Sequence, residues 1–506
     1  MPLYYMRVEA VNLDHFVYDT HDISTIRGGS FILLEAIEGI NQEFKGRLHP
    51  ITEAASQGLF SFDGEENDAE KLKAEVLAHL QKRTNGQATF VAVVERDEGN
   101  FPLVLERLEA QVRRQQWRRP TIAIPEFLEA AQQCFLDGWR PGIVRYLVDP
   151  TVTDVKISKT THWRRERGRE LKHKLFPELL KDDEYEIDLC AKDLGELALD
   201  ATQGVLSGKI AFIHVDGNSF GHIRRELCLT PESRQQFDLV IQAGFRTPFL
   251  QTLLQRARQD PDFQTENREK PKALRLEVLL WGGDEMTLVV PAWKGWEVLQ
   301  LFFEQAKGLT FGDVPLSHRA VIIFCHHNAP ILQIRQLADN LMDRAKADIQ
   351  ENLENAVKGG RLSSLDAGEQ DKLRARFPDH HYGDAFHYLT LESFDMLRGS
   401  LDSFITRYYQ EASYSSLLLY AHEMNKLREH LKTIHANVAR SKILEVIGAM
   451  RAGQPARIQT IIEQAYSLLS GDRRRDTREA VEWLTKDNPA RWYILADLWD
   501  YIPAWK

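Results

Sequence analysis

Residues 209–221, KIAFIHVDGNSFG, and residues 277–291, EVLLWGGDEMTLVVP, decide how this chain is read. The first is an apolar, β-prone run ending in Asp216. The second divides into two strands, Glu277–Trp281 and Met286–Pro291, around the turn Gly282-Gly283-Asp284-Glu285. A helical pattern over Phe237–Arg256 lies between them. Helix Trp296–Lys307, strand Arg319–Cys325 and helix Ile331–Glu351 follow. Strand, helix, two strands, helix, strand is the order of a ferredoxin-like or palm unit.

The same order occurs earlier in the chain. Residues 3–13 read as a strand, and Asp22 precedes a helical run through RGGSFILLEA (Arg27–Ala36). A strand pair is expected around Gly58–Gly64, a helix over 68–83, a strand over Thr89–Val94 and a helix over Phe101–Gln116. Motif against motif, Asn12 falls over Asp216, Asp22 and Gly28 over Asp238 and Gly244, and Asp63 over Asp284. Thr89–Val94 falls over Ala320–Cys325. The expectation is an α+β protein with two ferredoxin-like palm domains forming an intrachain pseudo-dimer. Its parts are a degenerate first palm (1–118), an inter-palm module (119–208), a catalytic palm (209–357), a linker (358–390) and a helical C-terminal domain (391–506). With Asn12 for Asp216 and Ser61-Phe62 for Gly282-Gly283, the first copy lacks most of a metal site.

The 506 residues carry a net charge of −10, which excludes a broadly basic nucleic-acid coat and leaves only local patches. No stretch is apolar enough for a membrane span, and four scattered cysteines (Cys134, Cys190, Cys228, Cys325) fit a reducing cytoplasm. The basic run Thr160–Lys174 reads as a solvated helix face, with a phosphate or RNA contact as the alternative. Arg473–Arg475 is a second basic cluster. Asp379-His380-His381 with Asp384 and His387 reads as a solvated loop rather than a metal cluster. Tyr408, Tyr409, Tyr414 and Tyr420 read as packing.

The chemistry lies in the acids. In a palm, the end of the first strand lies beside the central hairpin, so Asp216 and Asp284 meet although 68 residues apart. Magnesium takes hard oxygen ligands from a few carboxylates plus substrate phosphates. Two such ions about 4 Å apart can activate a 3′-hydroxyl and stabilise departing pyrophosphate. Gly282 and Gly283 permit a tight turn and close approach of a nucleotide.

These motifs resemble the GGDEF and CRISPR-polymerase palm superfamily. WGGDE (Trp281–Glu285) resembles its hairpin, VDGNSFG (Val215–Gly221) its metal-binding first motif, and LADNLMDRAK (Leu337–Lys346) its terminal helix. Two palms in one chain, RGGSFILLEA in the first, and SKTTHWRR (Ser158–Arg165) between them resemble the large cyclase subunit of type III CRISPR effector complexes. The resemblance implies cyclic oligonucleotide synthesis from nucleoside triphosphates, ATP favoured, with Mg²⁺ or Mn²⁺. Asp216 and Asp284 would bind metal, assisted by the Gly217 carbonyl and Glu285. Lys346 would contact phosphate, Asn218 ribose or base, Gly282 and Gly283 the nucleotide, and Ser30 and Asp63 the acceptor nucleotide. The region around Cys134 is similar to a zinc module without its companion cysteines, so no zinc is expected. The family's N-terminal HD nuclease is not expected either. RNA or CRISPR-type subunits are candidate activators, and no membrane partner is expected.

Two other readings stay open. A diguanylate cyclase would share the hairpin, although those enzymes usually carry a lysine after the phenylalanine that here is Phe220. A non-catalytic scaffold could use the same units to bind nucleotide or RNA.

Overall fold

The computed structural model describes residues 1–54, 56–118, 132–146, 155–180, 190–265, 273–352, 366–376, 383–392, 400–409, 414, 417–486 and 488–505. Asp379, His380 and His381 lie outside the described residues, as do residues 358–365 and 377–382 of the expected linker.

The N-terminal unit runs β1 (Leu3–Ala10), α1 (Leu13–Val17), α2 (Ile23–Glu43), β2 (His49–Ala54), β3 (Gln57–Asp63), α3 (Glu66–Arg83), β4 (Phe90–Arg96) and α4 (Phe101–Arg118). Its sheet has the order β2-β3-β1-β4, with β1 antiparallel to both neighbours. Asp22 starts α2 by accepting from the Thr25 amide at 2.9 Å, an N-cap that satisfies an otherwise orphaned donor. Helix α4 covers one sheet face through Leu105, Leu108 and Val112 against Tyr5, Val91 and Val93. Strand β2 begins well before the expected pair, because HPITEA has a single buried residue, Ile51, and lacks a strong alternation.

A two-stranded ladder, β5 (Val144–Arg145) with β6 (Lys156–Ile157), then α5 (Lys159–Leu180) and α6 (Leu194–Ala198), joins this unit to the next. The loop before β5 is organised by a carboxylate. Asp137 accepts from the amides of Trp139 (3.1 Å) and Arg140 (2.9 Å) and from the hydroxyls of Ser158 (3.0 Å) and Thr161 (2.8 Å). Burial would raise its pKa, but these bonds outweigh that and hold it below the ordinary value. The Cys134 sulfur accepts from the Asp137 amide within the same loop.

The second unit runs β7 (Lys209–Gly217), α7 (Phe220–Leu227), α8 (Pro231–Ile241), a π-helical turn (Gln242–Arg246) and α9 (Thr247–Gln259). It continues with the hairpin β8 (Glu277–Gly282) and β9 (Glu285–Pro291), then α10 (Ala292–Ala306) and the ladder β10 (Thr310–Phe311) with β11 (Val314–Pro315). Strand β12 (His318–His326) and α11 (Ile331–Glu351) close it. The order β12-β7-β9-β8 repeats that of the first unit, and the sheet is extended by β13 (Ala385–Thr390), parallel to β12, and β14 (Leu419–Tyr420). Two expectations are thereby corrected. The stretch read as a linker ends in a strand with five of six residues buried, and the part beyond Leu391 is not helical throughout. The apolar run AFHYLT was masked by the polar residues before it. His387 is accordingly no loop residue; it is buried with Nε2 2.7 Å from Asp348.

Strand pairing sets the correspondence between the units and corrects the motif alignment. Glu9 opposes Gln57, and Ala54 opposes Gln57 across the β2–β3 turn. Val215 opposes Met286, and Gly282 opposes Glu285 across the β8–β9 turn. Gln57 therefore corresponds to Glu285, Ser56 to Asp284, and Glu9 to Asp216. On the other side Ala10 opposes Phe90 as Gly217 opposes His318. Asn12 (φ 55°) and Ser219 (φ 56°), each three residues on, share the same left-handed backbone, so Asn12 matches Ser219 and not Asp216. Asp63 opposes Leu3 at the far end of the sheet, about 20 Å along the strand from Gln57 at 3.3 Å per residue. Asp22 caps a helix whereas Asp238 lies inside one, so that pairing also fails.

The basic run is only in part a solvated face: four of its cations turn to acids outside α5, while Arg169 and Lys174 stay about half exposed. Arg164 reaches Asp19 at 2.8 Å, Arg165 Asp22 at 3.4 Å, Arg167 Glu35 at 2.8 Å and Lys172 Glu277 at 2.7 Å. Arg169 and Lys174 pair with Glu166 and Glu170 on the same helix. Helix α5 can lie this close to α2 because glycines meet at the crossing. A Cβ on Gly28 would overlap the Arg164 carbonyl, and one on Gly168 the Ser24 carbonyl.

The C-terminal helices are tied to the second unit by Asp497. It accepts from Tyr409 (2.8 Å), Tyr388 (3.1 Å) and Tyr408 (3.2 Å). Burial pushes its pKa up to about 6 against the pull of those hydroxyls. Of the four tyrosines read as packing, Tyr408 and Tyr409 thus also solvate a buried acid.

Two outcomes are expected. Gly28→Ala should destabilise by roughly 1–3 kcal/mol or more, since neither backbone can yield. Gly221→Ala, helical with open space around it, should be neutral or gain about 0.4–1 kcal/mol; thermal unfolding of both variants distinguishes them. Asp497 has a raised folded-state pKa, so its contribution is present below about pH 4 and lost as pH rises through 6, on the order of 3 kcal/mol. The melting-temperature advantage of wild type over Asp497→Asn should therefore be largest near pH 4 and shrink towards pH 7.

Candidate active site

Strand β7 ends at the mouth of a cavity of about 900 Å³ walled by both units. Asp216 stands there with a 16% exposed side chain, opposite Arg319 on β12, and the two form an ion pair. Asp284, one-third exposed, occupies the β8–β9 tip, 4.0 Å from Arg224 on α7. Only the first loop residue, Gly283, has positive φ (44°), the pattern of a type II′ turn that needs glycine there. Burial pushes Asp216 up to about 7; Arg319 draws it down, while Asp284 and Glu285 repel it upward. Asp238 on α8 is likewise raised to about 6 by burial and by Asp284, against Arg224 and Arg234.

The cavity is basic although the chain is acidic. Arg7, Arg113, Arg224, Arg225, Arg234, Arg319 and Lys346 line it against Glu9, Glu109, Asp216 and Asp284. The first unit supplies Arg7, which holds Glu109 at 2.9 Å and Glu9 at 3.2 Å. A second cavity of about 390 Å³ adjoins it, sharing Leu13, Ser56, Gln57 and Asp284. It lies between the two hairpin tips and includes Ser30, Gly282, Gly283, Glu285 and Arg335, whose guanidinium lies 3.6 Å from the Tyr18 ring centre.

Of the residues expected from sequence, Asp216, Gly217, Asp284 and Lys346 share the larger cavity, and Ser30, Gly282, Gly283 and Glu285 the smaller. Asn218 does not line either; it is fully buried, 3.1 Å from the Ser317 hydroxyl, and supports Arg319 at 3.5 Å. Asp63 is remote from both, for the register reason above. Glu9, Arg7, Arg319 and the arginines of α7 and α8 were missed. Arg7 and Glu9 did carry a signal, two charged residues alternating in the otherwise apolar strand LYYMRVEA.

The donor set suits a divalent cation. Asp216 and Asp284 are hard oxygen donors whose mutual repulsion a cation would relieve, and Arg319 is the group that would have to give way. Among the described residues no three acids, histidines or cysteines form a metal cluster. Magnesium would complete its shell with water and phosphate beside the protein's own oxygens.

No protein-family model and no curated protein matches this chain. Among solved structures, it is similar to the Csm1-Csm4 cassette in complex with cA4, at 12% identity and TM-score 0.42, over 69% of this chain and 53% of that one. Csm1 in T.onnurineus gives 12% and 0.43 over 69% and 52%. The Csm1-Csm4 subcomplex of the type III-A CRISPR-Csm interference complex gives 13% and 0.43 over 69% and 53%. The chain thus spans about half the length of these relatives.

A cavity with this charge should bind a triphosphate group. Lys346→Ala should weaken nucleoside triphosphate affinity roughly tenfold, the scale of one charge-assisted contact. Wild-type affinity should also fall as ionic strength rises from about 0.1 to 1 M. Fluorescent-nucleotide titration reads both; indifference to both would place the nucleotide elsewhere.

Proposed function

We propose that this chain is a nucleotidyltransferase that joins nucleoside triphosphates, ATP favoured, into cyclic oligonucleotides with release of pyrophosphate. In this reading the two units are palms that face each other as a pseudo-dimer, and the cavity between them holds both nucleotides. The observation that carries it is a basic cavity in a chain of net charge −10, with Asp216 and Asp284 both on its wall and repelling each other. The VDGNSFG and GGDE motifs at those two acids support the reaction type, and their resemblance to CRISPR-polymerase palms supports ATP and a place in anti-phage defence.

A 3′-hydroxyl oxygen of one nucleotide attacks the α-phosphorus of the other; that P–O bond forms as the α–β P–O bond breaks and pyrophosphate leaves. Asp216 and Asp284, with the Gly217 carbonyl and Glu285 assisting, would hold Mg²⁺ or Mn²⁺, which when bound would supply Lewis-acid activation of the hydroxyl and charge neutralisation on the leaving group. The chain's own cations do the positioning. Arg224, Arg225 and Arg234 flank the Asp284 side, Lys346 approaches from α11, and Arg7 and Arg113 approach from the first unit. Held geometry of this kind converts an encounter between two nucleotides into a local reaction. Gly282 and Gly283 keep the hairpin tip free of side chains where a nucleotide must approach.

A binding-only scaffold is favoured by one specific observation: Arg319 satisfies Asp216 with no metal required. Purified chain incubated with each labelled triphosphate and Mg²⁺ or Mn²⁺, and resolved by mass spectrometry, decides between them. A cyclic oligonucleotide and pyrophosphate are expected, reduced on the order of a hundredfold or more by Asp284→Ala. A cyclic dinucleotide from GTP alone would identify a diguanylate cyclase. Nucleotide binding without product, with cellular RNA or CRISPR-type subunits also added, would establish the scaffold.

A further inference from the structure

We infer that Arg246 is the positioning residue of the hairpin that carries Asp284, a role resting on the reading of Asp284 as a site carboxylate. Arg246 is 3% exposed and approaches the β8–β9 tip from behind, away from the cavity. Its Nη1 donates to the carbonyl of Gly283 and its Nη2 to that of Glu285 at 3.0 Å. These are the residues on either side of Asp284. The guanidinium also lies 4.5 Å from the Trp281 ring centre, one residue before the turn. One side chain therefore holds both main-chain flanks of the acid and the strand leading into it. A planar fork with fixed donors suits this task, and a lysine cannot reproduce it.

The helix bearing Arg246 is shaped to deliver it. From Pro231 to Gln259 the chain is helical, but Gln242–Arg246 forms a π turn. A π turn inserts one residue, which rotates everything beyond it by about 100° relative to a regular helix. Phe245 and Arg246 are consecutive, and both are 3% exposed. Phe245 packs on Phe302 and His318 at 5.2 and 5.0 Å between ring centres, anchoring the turn to α10 and the start of β12. With the turn so fixed, Arg246 meets the hairpin carbonyls. The hairpin tip is open on its other side: a Cβ at Gly283 would find nothing within 4 Å. Arg246 thus fixes the backbone on both sides of Asp284, and with it the placement of that carboxylate.

Full-length Arg246→Gln and Arg246→Lys test this by three readouts: thermal unfolding, hydrogen–deuterium exchange of the hairpin peptide, and Mn²⁺ affinity by electron paramagnetic resonance. In the glutamine variant, exchange over 280–287 should rise roughly ten- to a hundredfold while β7 is unchanged. The Mn²⁺ dissociation constant should rise about ten- to a hundredfold, the usual effect of losing a residue that orients a ligand. The lysine variant, which keeps the charge and loses the fork, should fall between. A folded glutamine variant with unaltered hairpin exchange and unaltered Mn²⁺ affinity would overturn the role. If wild type binds no Mn²⁺, the metal reading of Asp216 and Asp284 fails, while hairpin exchange still decides the clamp. If the glutamine variant does not fold, the lysine variant decides it by the same exchange measurement, unchanged hairpin protection again counting against it.

Discussion

The crossing of α2 and α5 is the constraint on which the rest of the molecule depends. Two glycines bring the helices to backbone contact, and at that contact a carboxylate and two cations are buried together. Glu277 receives Arg27 at 2.5 Å and Lys172 at 2.7 Å; Arg27 Nη1 also donates to the Gly168 carbonyl (2.9 Å) and Lys172 to that of Ala191 (2.6 Å). Burial alone would raise Glu277, but Arg27 and Lys172 outweigh it and hold the carboxyl below its ordinary value. Such a cluster adds little net stability against an apolar replacement, yet loss of one member strands a buried charge. Its three members come from the first unit, the connecting helix and the strand leading to Gly282. It therefore sets the place of the active hairpin relative to the first unit.

Much of the electrostatic character of the cavity follows from how the basic residues are apportioned. Arg164, Arg165, Arg167 and Lys172 of α5 are consumed internally by Asp19, Asp22, Glu35 and Glu277. Those of α7 and α8 line the cavity that holds Asp216 and Asp284, where burial lifts the Asp216 carboxylate. A region of high basic density in sequence and a basic surface in space are thus different things in this protein.

The element order of both units was legible because most strands are apolar and the helices periodic, and because the same order occurs twice; β2, with only Ile51 buried, was the exception. The acids Asp216 and Asp284 were legible because a strand end and a Gly-Gly turn leave a distinctive local pattern. The match between the units was not. Asn12 and Asp63 resemble their supposed counterparts in local composition, whereas equivalence is set by hydrogen-bond register, which composition does not encode. Strand β13 was obscured by polar neighbours, and the destinations of the α5 cations depend on a helix crossing that only the folded chain reveals. Arg246 had no signal at all, because a π turn does not announce itself in residue types.

The unlike turns of the two hairpins have a directional consequence. Both sheets bring a carboxylate, Glu9 or Asp216, to the same strand position, but only one turn adds a second acid, while the other ends in Ser56 and Gln57. Two like walls with unlike tips make a chamber with a head and a tail. A polyanion lying in it would meet Asp284 and Glu285 at one tip and the uncharged Ser56 and Gln57 at the other, so its two orientations would be unequal in energy. Asymmetry of this kind tells the two ends of a bound chain apart without any moving part.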